Sequence, residues 1–289
     1  MNNTLLYAAT VLIWGSTWLV INYQLGQVAP VISLVYRFAL AAGLLMGFCW
    51  WTGRQLRFGP GAHLSFFGMG LFMFGLNYLG AYWAQFYIPS ALNALVFATI
   101  VWLNILFTRL LFGVRSSGLV YLGALAGTAG IVIVLWPQVE SLSLSDETVI
   151  GAIISFSGAL SASVGNMVSQ RAQSRQLPVI SSNAWGMCYG TGLYLLWALV
   201  SGSEWQFDPS FQYVTSLMYL ALFGTVIGFG CYLTLLGRIG AHKAGYANVM
   251  FPVVAVVLSV LFEGLEVNLN LLLGMALVLA GNFAILRRS

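Results

Sequence analysis

The chain has 289 residues, 60% of them hydrophobic and only 6% charged, with a net charge of +4 from 11 basic and 7 acidic side chains. A soluble domain carries about 25% charged residues, so there is too little charge here to cover a water-facing surface, and the outside must be apolar as well. So small a positive surplus gives no footprint for nucleic acid, and the isolated Cys49, Cys188 and Cys231 form no CxxC or Cys/His pattern for a disulfide framework or a zinc site.

A helix needs about 20 mostly apolar residues to cross the hydrocarbon. Ten such runs follow one another at approximately 4–23, 31–51, 64–88, 91–112, 118–136, 149–170, 180–200, 213–236, 243–263 and 269–286. The first lacks a basic leading segment and a small-x-small cleavage site, so it reads as a retained helix and not as a signal peptide. Membrane β-strands would be about 10 residues long and would alternate in polarity; these runs are longer and do not. The expected fold is an all-α membrane protein of ten transmembrane helices. Six of the seven prolines (Pro30, Pro60, Pro89, Pro137, Pro178 and Pro209) fall in loops or at the ends of runs, as helix breakers should.

Taken in chain order, helix 1 carries Trp14 and Thr17 three residues apart, and helix 2 carries Arg37, the one charge inside a run away from its ends. Arg37 stands about two turns from the outer end, placed to snorkel outward or cap carbonyls, or else to act as a gate or anion contact. Helix 3 carries Asn77, and Tyr78, Tyr82 and Gln85 stand at i, i+4 and i+7, which puts two phenols and an amide on one face. Helix 4 presents Thr99 and Trp102 together, and helix 6 a small and polar stripe of Ser155, Ala159, Ser163, Asn166 and Gln170. Pro252 is the one proline inside a run; having no N–H, it leaves the carbonyl of Asn248 free at mid-membrane beside an amide side chain. Trp14, Thr17, Asn77, Tyr78, Tyr82, Thr99, Trp102, Asn166, Asn248 and Pro252 are the candidate substrate contacts. Small and polar residues also join helices without any substrate, and for Tyr78, Tyr82, Trp102 and Asn166 both readings stand. Gly43/Gly47, Gly123/Gly127, Gly186/Gly190 and Gly224/Gly228 have the spacing of helix-packing motifs, and Trp50, Trp51, Trp136 and Trp197 that of interface anchors.

Numbering the loops alternately segregates charge. Arg54, Arg57, Arg109, Arg115, Arg171, Arg175, Arg238, Lys243, Arg287 and Arg288 fall on the side of the termini. Glu140, Asp146, Glu147, Glu204, Asp208, Glu263 and Glu266 fall on the other. Basic short loops mark the cytoplasmic side, so both termini are expected there.

Self-similarity is also present. Pro30-Val31-Ile32-Ser33 recurs as Pro178-Val179-Ile180-Ser181, an offset of 148, and Ile88, Gly113, Gly123, Ala129 and Gly130 recur as Ile239, Gly264, Gly274, Ala280 and Gly281, an offset of 151. The expected organisation is two five-helix repeats, 1–137 and 149–289. Five is odd, so the second repeat must enter the membrane inverted, the usual construction of secondary transporters.

Trp14-Gly15-Ser16, Tyr36-Arg37-Phe38, the run Phe251-Pro252-Val253-Val254-Ala255 and the run from Leu273 to Gly281 resemble the drug/metabolite transporter superfamily, in its bacterial EamA-type members. The likeness covers the whole chain and is greatest to exporters of aromatic amino acids and of compounds such as paraquat. It implies small-molecule export across the inner membrane. Two features depart from or blur the family pattern: Val101 stands at the first-half counterpart of Pro252, and either Glu263 or Glu266 matches the family's acidic position.

No nucleophile–base pair, carboxylate pair or metal-ligand set lies inside the bundle, which argues against a membrane enzyme. The one lysine, Lys243, sits at a turn, which argues against a retinal protein. No Asp, Glu, His or Lys lies near mid-depth, where a proton-driven carrier commonly needs one. The expectation is a facilitator without cofactor, metal or nucleic-acid partner, working by alternating access on amphipathic, aromatic or cationic substrates held by stacking and cation–π contact. A monomer is compatible with this pattern. A scramblase and a proton-coupled drug carrier are the alternatives.

Overall fold

The computed structural model describes residues 1–26, 28–88, 90–134, 136, 140, 146–262 and 267–286. Pro89, Pro137, Glu263, Gly264, Glu266, Arg287 and Arg288 lie outside the described residues, as does the side chain of Pro252. Among the described residues the chain is helical and contains no strand: α1 (Asn3–Asn22), α2 (Pro30–Trp51), α3 (Pro60–Ala84), α4 (Ser90–Phe97), α5 (Ile100–Phe112), α6 (Gly118–Val134), α7 (Asp146–Ser174), α8 (Val179–Val200), α9 (Phe211–Ile239), α10 (Ala241–Ala244), α11 (Ala247–Phe262) and α12 (Leu269–Leu286).

The local chemistry sets the ends. Pro30 and Pro60 open α2 and α3, where a missing N–H costs nothing. Asn2, Ser210 and Asn268 cap α1, α9 and α12 by accepting from Leu5, Tyr213 and Leu271. Gly113 closes α5 at φ 68°. Among the described residues six helical stretches are long and apolar enough to cross a membrane: Asn3–Asn22, Pro30–Trp51, Pro60–Ala84, Leu95–Phe112, Asp146–Ser174 and Phe211–Ile239. Shorter apolar helices run Gly118–Val134 and Leu269–Gly281. Leu12, Leu44, Phe48, Trp50, Trp51, Leu110, Leu122, Leu199 and Val200 all point outward, a surface only lipid tolerates. The protein is an all-α, multi-pass membrane protein.

Close crossings pair α6 with α12, α2 with α8, α3 with α7 and α1 with α11. The first is tightest. A Cβ on Gly274 would lie 2.6 Å from the Gly130 carbonyl oxygen, and one on Gly281 would lie 2.9 Å from that of Gly123. Under the offset of 151 seen in the sequence, these two contacts exchange. Gly43 and Gly47, in contrast, have nothing within 4 Å of a built Cβ; their motif faces outward and joins no helix among the described residues.

Two membrane helices are not regular throughout. Residues Met69–Leu76 of α3 and Leu220–Ile227 of α9 are wound as π-helix, again 151 residues apart. A π turn directs some carbonyls off the i→i−4 ladder, and lipid offers them no partner. Side chains do. The Tyr194 hydroxyl donates to the carbonyls of Phe74 and Gly75, Trp14 Nε1 donates to Gly224 O at 2.8 Å, and Thr225 Oγ1 donates to Leu220 O at 2.8 Å.

Two stability measurements check this packing. Gly274→Leu is expected to destabilise the detergent-solubilised protein by about 1–3 kcal/mol through overpacking, while Gly43→Ala leaves its unfolding midpoint unchanged or raised. Tyr194→Phe, which removes one buried hydroxyl serving two carbonyls, is expected to cost about 1–2 kcal/mol, read as a lower unfolding temperature than that of Tyr36→Phe at the exposed rim.

Candidate functional site: a central cavity with one buried cation

α1, α2, α3, α4, α5, α7, α9 and α11 line a cavity of about 90 Å³, room for several waters. Of the residues singled out in the sequence, Trp14, Thr17, Arg37, Asn77, Tyr78, Asn166 and Asn248 line it. Tyr82 does not reach the cavity; its hydroxyl lies behind, 3.4 Å from Arg37 Nη1. Thr99 and Trp102 stand apart from it. The expectation of a shared cavity face assumed one unbroken helix, whereas the chain turns at Ala98 and Thr99 between α4 and α5. Thr99 bonds Val96 O at 2.7 Å and Trp102 Nε1 bonds Thr128 on α6 at 3.1 Å, while Phe97 and Ile100 take the cavity side. Pro252 sits within α11 directly after the cavity residue Phe251.

One wall is aromatic. Trp14 packs against Phe229, Tyr232 and Phe251 at centroid distances of 4.8, 5.0 and 5.7 Å. The sequence reading missed Phe229, Tyr232 and Phe251. The signal for two of them was present, since Thr225, Phe229 and Tyr232 repeat on α9 the i, i+4, i+7 pattern noted on α3.

One end of the cavity is an amide cluster. Asn104 Oδ1 accepts from Ser163 at 2.7 Å and from Asn166 Nδ2 at 3.3 Å. The Tyr232 hydroxyl faces Asn166, Asn104 and Asn248 but meets none of them in hydrogen-bond geometry. Asn248 Nδ2 donates to Gly245 O at 2.9 Å.

The opposite end holds Arg37. It neither snorkels outward nor caps carbonyls: it is 1% exposed. Nε donates to Thr225 Oγ1 at 2.9 Å and Nη1 to Tyr82, with Cζ 4.8 Å from the Tyr78 ring centroid. Its electrostatic surroundings are the phenols of Tyr78, Tyr82 and Tyr194. Among the described residues no carboxylate pairs with it, since Glu140, Asp146, Glu147 and Glu204 are exposed and Asp208 caps the Ser210 amide. Nor does any group of three His, Cys, Asp or Glu side chains there form a metal site. The cavity is a slot with a cation at one end, neutral amides at the other and rings between.

Thr225→Val breaks the link from Arg37 to the α9 π turn while keeping shape. It is expected to lower stability by about 1–3 kcal/mol, measured as the unfolding midpoint, with Thr225→Ser restoring most of it.

Relatives named as transporters match the chain nearly end to end. The "Uncharacterized transporter YoaV" of Bacillus subtilis (strain 168) is 25% identical over 94% of this chain and 92% of its own. The "Uncharacterized inner membrane transporter YedA" of Escherichia coli (strain K12) is 28% identical over 87% and 79%, and the "Probable amino-acid metabolite efflux pump" of the same strain is 24% identical over 94% and 90%. A solved crystal structure superposes with a TM-score of 0.81 at 22% identity, covering 98% of this chain and 95% of that one, so the fold is shared. The family model described as "EamA-like transporter family" matches residues 3–136 and again 149–287, and the chain belongs to that family.

Proposed function

We propose that this protein exports small amphipathic metabolites, aromatic amino acids among them, by alternating access around the central cavity, and that it does so passively. The observation that carries the reading is the composition of the cavity: a wall of Trp14, Phe229, Tyr232 and Phe251 for an apolar body, with polar groups at both ends for a polar head. One relative's name, an amino-acid metabolite efflux pump, points to the same chemical class.

The carrier is read as ten spans in two inverted repeats, 1–137 and 149–289, with both termini cytoplasmic. Support comes from the basic loops, from the family model matching twice, from the exchange of the Gly130–Gly274 and Gly123–Gly281 contacts, and from the repeat-related π turns. The cavity lining holds Arg37 and phenols as its ionisable groups, neither of which cycles a proton near neutral pH. Outside the spans, burial and the neighbouring Lys243 hold His242 below the ordinary imidazole range, so it stays neutral there as well.

Proteoliposomes loaded with unlabelled phenylalanine are expected to take up labelled phenylalanine saturably, equally at pH 6.5 and 7.5, with no accumulation after a pH step. Asn166→Ala is expected to lower this counterflow at least about tenfold. Accumulation driven by the pH step overturns the passive mechanism. Alkaline phosphatase fused near residue 147 should be active and fused near 175 inactive; the reverse overturns the orientation.

A further inference from the structure

We propose that the cavity reads the main-chain end of a zwitterionic α-amino acid, with Arg37 taking the carboxylate and Asn77 Oδ1 the ammonium. The assignment rests on the reading of the cavity as the transport site.

Arg37 carries the argument first. A guanidinium buried to 1% exposure needs a counter-charge or acceptors for its fork of N–H groups. Among the described residues its hydrogen bonds go to one hydroxyl and one phenol, with the Tyr78 phenol beside it, no carboxylate pairs with it, and Nη2 makes no hydrogen bond. A planar carboxylate entering the cavity matches that free edge.

Asn77 is the independent observation. It lines the same cavity at 8% exposure, and its Nδ2 donates to the Met73 carbonyl at 3.0 Å. That carbonyl fixes which end of the amide is nitrogen and leaves Oδ1 without a partner. An unpartnered acceptor on a cavity-lining residue, next in sequence to Tyr78, itself against Arg37, suits a donor cation beside a carboxylate. The aromatic wall then takes the side chain.

The arrangement also bears on cationic cargo. The Tyr78 face is occupied by Arg37 itself, and a ligand bearing positive charge without a carboxylate would meet the guanidinium unscreened in a medium of low dielectric. Dications of the paraquat kind are therefore disfavoured, in contrast to the expectation from aromatic content alone.

The test is competition against labelled L-phenylalanine, and in parallel labelled L-leucine, in proteoliposome counterflow. The competitors are L-phenylalanine, 3-phenylpropionate (no amine) and phenethylamine (no carboxylate). In the native chain phenylalanine should compete at least about tenfold better than phenethylamine. Arg37→Gln should erase that preference, with Arg37→Lys keeping part of it. Asn77→Leu should weaken phenylalanine while leaving 3-phenylpropionate unchanged, a split that general misfolding does not produce. Phenethylamine competing as well as phenylalanine overturns the assignment and leaves the carrier reading standing. Exchange of leucine but not phenylalanine, dependent on Arg37, overturns the aromatic preference and supports the main-chain assignment. Exchange of neither amino acid overturns the assignment.

Discussion

Hydrocarbon offers no hydrogen bonds, and most of the architecture follows from how this chain meets that constraint. Where α3 and α9 depart from regular winding, the carbonyls at the π turns are met by side chains from other helices: Tyr194 from α8 at Phe74 and Gly75, and Trp14 from α1 at Gly224. Thr225 serves twice, closing Leu220 O within its own helix and accepting from Arg37. Of these groups Trp14 itself lines the cavity, and Thr225 holds Arg37, which lines it too. A bundle of regular helices would need none of these polar side chains at mid-depth.

Arg37 is the costliest member of this set. A cation at membrane depth costs about 3 kcal/mol on insertion scales, and here it is held by phenol, hydroxyl and ring faces. Its Thr225 contact ties the cavity's one formal charge to the irregular segment of α9. A ligand that draws on Arg37 therefore acts on a helix whose winding is already non-ideal, which gives occupancy a physical route to conformation. The close glycine crossings, Gly130 with Gly274 above all, pack other parts of the frame backbone to backbone.

Much of this was legible in the sequence because polar residues inside 20-residue apolar runs are rare and need a reason. Trp14, Thr17, Asn77, Tyr78, Asn166 and Asn248 were found that way and do meet in one cavity. The α-helical membrane fold was legible from run length and charge scarcity. The π segments were not, since Met69–Leu76 and Leu220–Ile227 are apolar runs without proline and differ from regular helix only in winding. The face drawn through Tyr78, Tyr82 and Gln85 did not hold either, although Tyr78 and Tyr82 lie in regular helix: Tyr78 reaches the cavity, Tyr82 stands behind Arg37, and Gln85, past the helix end at Ala84, has its amide buried without a partner. Phe229, Tyr232 and Phe251 escaped notice because an aromatic residue in an apolar helix reads the same whether it lines a cavity or fills a core. Gly43/Gly47 and Gly123/Gly127 share a spacing, yet one pair faces outward and the other a neighbouring helix; only tertiary context separates them.

The central claim is that substrate passes through this cavity, and cysteine labelling at Asn166 tests it most directly. In a functional variant with Cys49, Cys188 and Cys231 replaced, Asn166→Cys would be exposed to a small thiol reagent during phenylalanine exchange. The account predicts that labelling stops transport, that the residue is reached from either face of the membrane in turn, and that phenylalanine slows the reaction. Full labelling with transport intact, at a rate indifferent to phenylalanine, would contradict it.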